Sequence, residues 1–177
     1  MSIDALKKVL PVPAAALDNG GATPDWAAIE KAAGTALPAD YKAFVATYGT
    51  GVINNFLYVF TPFAKTVNVL QQQITDQLGA LKTLRDSGLP VKYPIFPEPG
   101  GLLPWAVTDN GDVLFWLTKG PADSWTVVTN YTRGPDYEEF PVPMTDYLAQ
   151  VLTKQLRSEA FPDDFLQGPP TFAPTPE

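Results

Sequence analysis

The chain has 177 residues, of which 45% are hydrophobic and 12% aromatic, and it contains neither histidine nor cysteine. This is enough apolar material for one domain with a buried core, while the missing residue types exclude an imidazole general base, a thiol nucleophile, a disulfide framework and the His or Cys ligands of zinc sites. The formal net charge of −7 disfavours nucleic acid as a partner and suits a basic protein instead.

Residues 1–22 predict a short helix followed by a linker. Apolar residues recur at helical spacing, and Pro11 and Pro13 end the pattern before an Ala-rich and Gly-containing stretch. No apolar run here is long enough for a signal-peptide core or a membrane span. We therefore expect a soluble, cytoplasmic protein, with which the absence of cysteine agrees.

The main domain is predicted to cover residues 23–157 and to begin with two helices. Thr23 is the expected cap of the first helix, and Gly34 is expected to end it. The second starts at Pro38 and ends at Gly49, because one apolar face recurs at intervals of three and four residues, in Tyr41, Phe44, Val45 and Tyr48.

Two short strands are predicted next, at 51–53 and 56–60 around an Asn54-Asn55 turn. From Lys65 to about Arg85 the apolar residues keep a helical period. This pattern favours a helix that packs on the core; a coiled coil is the alternative, although Gln77 interrupts a strict heptad.

The rest of the domain is predicted to be mainly β. Strands are expected at 102–108, 113–117, 125–130 and 137–140, followed by a last helix from about 145 to 156. This order predicts an α+β fold, with a largely antiparallel sheet of about four to six strands and helices packed against it.

Residues 158–177 form a Pro-rich acidic tail. The tail has four acidic residues and no basic one, which leaves a net charge of −3 for residues 1–157. Its composition predicts that it does not fold alone, but its three phenylalanines and Leu166 can lie across the domain surface.

Two groups of residues admit a chemical interpretation and a structural one. The run Asp109-Asn110-Gly111-Asp112 offers oxygen ligands for calcium, but its spacing differs from the EF-hand pattern and Asn-Gly is typical of a hairpin turn. The aromatic residues Trp105, Phe115, Trp116 and Trp125 form either a stacking platform for sugars or bases, or the core of a strand covered on both faces.

Catalysis by paired carboxylates has little support. Glu138 and Glu139 are adjacent, so in a strand they point to opposite faces. We therefore expect no enzymatic activity, no cofactor and no metal.

Near the last strand and helix, the acidic residues Asp136, Glu138, Glu139 and Asp146 form either ordinary solvated surface or half of an interface with a basic protein.

Two blocks of the sequence resemble the SUKH superfamily, which includes fungal cell-wall assembly regulators and many bacterial immunity proteins. The first block combines helix starts, helix stops and aromatic residues at fixed spacing, in Trp26, Ile29, Glu30, Gly34, Leu37, Pro38, Asp40, Tyr41, Phe44, Tyr48, Gly49 and Gly51. The second block is Leu103-Pro104-Trp105-Ala106 followed by Asp109 and Gly111-Asp112.

The resemblance covers about residues 23–157 and implies an α+β domain without shared catalytic chemistry. Its motif residues are expected to be framework: Trp26, Gly34, Leu37, Pro38, Tyr41, Phe44, Tyr48 and Gly49. The function it implies is neutralisation of a cognate bacterial toxin, such as a basic nuclease, by direct binding. The alternative is a regulatory or scaffold module in cell-envelope assembly with the tail as a docking segment; a carboxylate hydrolase is a distant third.

Overall fold

The computed structural model describes residues 3–14, 23–65, 68–131 and 136–174. The helices are α1 (Ile3–Lys7), α2 (Trp26–Ala33), α3 (Ala39–Tyr48), α4 (Leu70–Asp86) and α5 (Met144–Leu152). The strands are β1 (Gly51–Ile53), β2 (Leu57–Val59), β3 (Leu102–Thr108), β4 (Val113–Leu117), β5 (Thr126–Asn130), β6 (Tyr137–Phe140) and β7 (Phe172–Pro174).

The strands form one antiparallel sheet in the order β6-β5-β4-β3-β2-β1-β7. The predicted α+β fold is therefore confirmed. The seventh strand, one more than the expected range allowed, comes from the tail: β7 pairs with β1, so that Ile53 lies opposite Phe172.

The first two predicted helices are present, with one change at their start. Asp25, and not Thr23, caps α2, because its carboxylate accepts a hydrogen bond from the backbone N–H of Ala28 at 3.1 Å. Gly34 ends α2 in the left-handed conformation, with φ of 76°, which favours glycine.

The centre of the sheet is buried on both faces. Phe115 and Trp116 are neighbours in β4 and so point to opposite faces, yet their exposed fractions are 1% and 0%. Trp105 is also fully buried, and Trp125 is 5% exposed. The core interpretation of these aromatic residues is thus confirmed, and a surface stacking platform is excluded for them.

Helix α4 packs across β3 and buries one apolar stripe, Leu70, Ile74, Leu78 and Leu81. This confirms a core-packing helix. It starts at Leu70, later than predicted; Val67 of the predicted stripe lies outside the described residues. Leu84, at the end of the predicted stripe, is exposed. No described helix has both the length and the hydropathy needed to cross a membrane.

The core continues across both boundaries that the sequence suggested, at residue 23 and at residue 157. Helix α1 packs on α3 and α5, and its Leu6 is fully buried together with Leu10 just beyond it. In the tail, Phe165 is 8% exposed, and its ring lies 5.6 Å from that of Phe56 and 4.5 Å from that of Phe161. The described parts of these two segments thus pack as part of the domain, although the three-part division itself remains a prediction.

Candidate protein-binding surface

The eight motif residues lie at the helix junctions and in the core. The rings of Phe44 and Tyr48 stack at 5.0 Å, and the ring of Tyr41 meets that of Trp116 edge-on at 5.1 Å. Leu37 is 2% exposed, whereas Trp26 is half-buried. Their positions suit the framework role that the family resemblance implies.

The two buried tyrosines of α3 also satisfy backbone carbonyls. The Tyr41 hydroxyl donates to Phe60 O at 2.7 Å, and the Tyr48 hydroxyl donates to Leu10 O at 2.8 Å. Burial raises the pKa of Tyr48 to about 12 and raises the pKa of Tyr41 further. These hydroxyls tie α3 to the residue that follows β2 and to the N-terminal segment, and they are not available as acid or base groups near neutral pH.

Two carboxylates cap helices other than their own. Asp123 accepts from the first backbone N–H of α3, at Ala39, at 2.7 Å. Asp40 accepts from both the backbone N–H and the hydroxyl of Thr145 in the first turn of α5, at 2.9 and 3.2 Å. A carboxylate stabilises the positive end of a helix. Sequence reasoning missed both caps, because their partners are 84 and 105 residues away.

Strand β6 forms one edge of the described sheet and, with the residue just before it, holds three of the four predicted acidic residues. Asp136 and Glu139 are exposed there. The hydroxyl of Tyr93, in the segment after α4, donates to Glu139 at 3.1 Å, and its ring meets that of Tyr137 edge-on at 5.3 Å. These two carboxylates are therefore accessible to another molecule.

Glu138 points to the face opposite Glu139, as predicted, and its carboxylate is hydrogen-bonded within the protein. Its Oε2 accepts hydrogen bonds from Ser158 Oγ at 2.6 Å, from Glu159 N at 3.0 Å and from Thr129 Oγ1 at 3.1 Å. Glu138 thus attaches the beginning of the tail to the sheet. Nothing in the local sequence predicted this, because Ser158 lies 20 residues further along the chain.

Asp146 is 5% exposed, in the first turn of α5. It borders a recess of about 240 Å³ between α1 and α5, together with Lys8. The structure therefore does not bring the four acidic residues to one exposed face: Asp136 and Glu139 are at the surface, Glu138 holds the tail and Asp146 is buried.

The run 109–112 forms a hairpin turn between β3 and β4, as expected. The carboxylate of Asp112 accepts from the hydroxyl of Thr108 at 3.0 Å, which closes the turn. Within the described ranges, no group of three acidic residues is close enough to hold a metal ion.

Three surface recesses bear on catalysis by paired carboxylates. One of about 250 Å³ lies between the end of α5 and the tail and includes Arg157 and Asp163. Another of about 250 Å³, between α2 and the start of α4, has no acidic residue, and the one beside Asp146 has no other carboxylate. None of these three recesses presents the two facing carboxylates that hydrolysis of a glycoside needs.

Comparison with known proteins agrees with the sequence motifs. Searches of curated proteins and of solved structures gave no significant match to the chain. The family model SUKH_6, described as SMI1-KNR4 cell-wall, matches residues 24–148, which is more than two thirds of the chain. The protein therefore belongs to the SUKH (SMI1-KNR4) family.

Proposed function

We propose that the protein is a non-catalytic binding domain that neutralises a bacterial toxin by direct contact. The observation that carries this proposal is the exposed β6 edge with Asp136 and Glu139, on a chain of the SUKH family. The resemblance to the SUKH superfamily implies an immunity role for such a chain. The absence of histidine and cysteine supports binding in place of chemistry. The partner is a toxin with a basic surface, such as a nuclease.

The physical basis of recognition is charge complementarity at the β6 edge. Charges at the rim of an interface act mainly on the association rate, because they steer the two molecules before contact. Their effect decreases with salt, because the screening (Debye) length is only about 10 Å at 0.1 M ionic strength. A complex formed here is therefore expected to associate faster at low salt.

The test is a charge reversal with a matched control. The double variant Asp136→Lys, Glu139→Lys changes two exposed carboxylates at the proposed surface; the control, Asp76→Lys, Asp86→Lys, makes the same change in net charge on the exposed side of α4. We expect the first variant to associate with the toxin encoded beside this protein at least tenfold more slowly at low salt, and the control to stay within about twofold of the wild type.

The same two variants are also tested for protection of cells against the toxin. The β6-edge variant should lose protection against that toxin, while the α4 variant should keep it. Equal loss of association in both variants would show that overall charge, and not the β6 edge, governs binding. Absence of any complex or protection with the wild-type protein would refute the immunity role.

A regulatory or scaffold role in cell-envelope assembly is the second candidate. It is favoured by the description of the matching family model, which refers to the cell wall. Purification of the tagged full chain from its own cells distinguishes the two: recovery of envelope-assembly proteins, reduced by the β6-edge charge reversal, supports this role. Recovery of the toxin alone supports neutralisation.

A further inference from the structure

The tail covers the second edge of the sheet by adding β7 to β1. Val52 lies opposite Ala173 and Gly51 opposite Pro174 in an antiparallel register. Strand addition of this kind is a general way to bind an extended peptide, with backbone hydrogen bonds for affinity and side-chain pockets for selectivity. The β1 edge has both features, and the chain's own tail shows what fits it.

The pocket is made by a glycine beneath an aromatic ring. A Cβ atom on Gly51 would lie 2.5 Å from two ring atoms of Phe172 and 2.6 Å from the carbonyl oxygen of Ala173. The Phe172 ring also lies 5.2 Å from that of Tyr48 and 6.3 Å from that of Phe44. Only a residue without a side chain at position 51 leaves room for this ring.

Asn54, at the end of β1, holds the backbone that enters the site. Its own N–H donates to Thr171 O at 3.0 Å, and its Oδ1 accepts from Thr171 N at 2.7 Å. Its Nδ2 donates to Phe165 O at 2.9 Å. One asparagine therefore fixes the peptide segment just before the aromatic residue and also reaches the preceding part of the tail.

The connection to this strand runs along the surface. Gln167, Gly168 and Pro169 are exposed, and a Cβ on Gly168 would meet nothing within 4 Å. Pro169 and Pro170 form a Pro-Pro pair in this connection, and proline restricts the chain to extended conformations. Such a segment can direct the strand to a neighbouring molecule as well as to its own sheet.

We propose that the β1 edge is a binding site for an extended Thr-Phe-Ala-Pro segment, filled by the chain's own tail in the monomer and by the tail of a second copy in an exchanged dimer. Exchange of identical elements keeps the same contacts and therefore costs little. The monomer prevails at low concentration, because a tethered strand has an effective concentration on the order of mM.

The first experiment tests the site in the full chain. The variant Phe172→Ala weakens the internal strand, and a fluorescent peptide with the sequence of residues 168–177 is then added. We expect saturable binding, at least tenfold tighter than that of the same peptide with its phenylalanine replaced by alanine. Equal binding of the two peptides, or no binding to the folded variant, would overturn the proposal.

The second experiment tests the second copy by complementation. Phe172→Ala keeps an intact site but has a poor tail, whereas Gly51→Ala keeps an intact tail but has a blocked site. Each variant alone should be a monomer by light scattering, and the mixture should form a 1:1 complex at high concentration. A mixture that remains monomeric would refute exchange between copies.

Folding of both variants is checked by circular dichroism before mixing. If Gly51→Ala does not fold, Asn54→Ala replaces it as the tail donor, because that change removes the side-chain clamp and leaves residues 168–177 intact. If Phe172→Ala does not fold, the milder variant Phe172→Leu replaces it, and the same two peptides are compared. Binding of the phenylalanine peptide at least tenfold tighter than that of the alanine peptide supports the site, and equal or absent binding refutes it.

Discussion

Replacing Glu138 with alanine should destabilise the protein, although this residue lies in an acidic group at the sheet edge. Its Oε2 accepts three hydrogen bonds, from Ser158 Oγ, Glu159 N and Thr129 Oγ1. Hydrogen bonds to a charged group contribute about 1.5 to 3 kcal/mol each, but Glu138 is only partly buried, so water can replace part of that. We therefore expect a loss of about 2 to 4 kcal/mol in the free energy of unfolding.

The assay is urea denaturation, with thermal unfolding as a second measure. A domain of this size loses about 2 to 4 °C in melting temperature per kcal/mol, so a decrease of roughly 4 to 16 °C is expected. Glu139→Ala is the matched control, since its exposed carboxylate has one hydrogen bond, from Tyr93, and should cost less than about 1 kcal/mol. Hydrogen exchange should become faster in residues 159–167 for the Glu138 variant.

A double-mutant cycle identifies the cause. If Glu138 acts by holding the tail, Glu138→Ala and Ser158→Ala should be non-additive, with a coupling of about 1 kcal/mol or more. The reasoning is refuted if Glu138→Ala and Glu139→Ala differ by less than about 0.5 kcal/mol, or if the cycle shows no coupling.

Three further predictions concern the ends and the core of the fold. Gly51→Ala should destabilise by about 1 to 3 kcal/mol because its methyl group would collide with the aromatic ring of β7, whereas Gly79→Ala, on the exposed side of α4, should stabilise by about 0.5 to 1 kcal/mol in the same denaturation assay. Leu6→Ala should cost about 2 to 5 kcal/mol and Val12→Ala less than about 0.5, since their exposed fractions are 0% and 47%; equal effects would show that α1 is not part of the cooperative core. Burial raises the pKa of Tyr48 from 10 to about 12, so folding favours the neutral hydroxyl. The free energy of unfolding should therefore stay constant below pH 10 and decrease as the pH rises towards 12. Tyr48→Phe should remove part of this decrease.

The sequence predicted the strands within residues 51–140 better than the edge strand that the tail adds. Strands β3, β4 and β6 begin and end at the expected residues, because turn residues or prolines bound each of them. Strand β7 was not predicted, because it has only three residues, one of them proline. Its pairing with β1 joins segments about 120 residues apart in the chain. No local pattern contains that information.

The same distinction applies to the candidate surface. Alternation along β6 correctly placed Glu138 and Glu139 on opposite faces. It did not reveal which face is open, because that depends on the return of the chain at Ser158 and on the position of Tyr93. Proximity in sequence therefore identified an acidic segment, while the division into structural and accessible carboxylates required the fold.

This division determines how the charge of the protein relates to partner binding. Edge strands carry free backbone groups, and charged side chains on them prevent unwanted pairing. Asp136 and Glu139 at the β6 edge therefore disfavour association with a second acidic copy while remaining attractive to a basic partner. The opposite edge is occupied by β7, whose register with β1 is set by neutral residues, Gly51 and Phe172. Salt should accordingly weaken binding at the β6 edge and leave exchange of the tail almost unchanged, so that ionic strength separates the two proposed interactions in a single preparation.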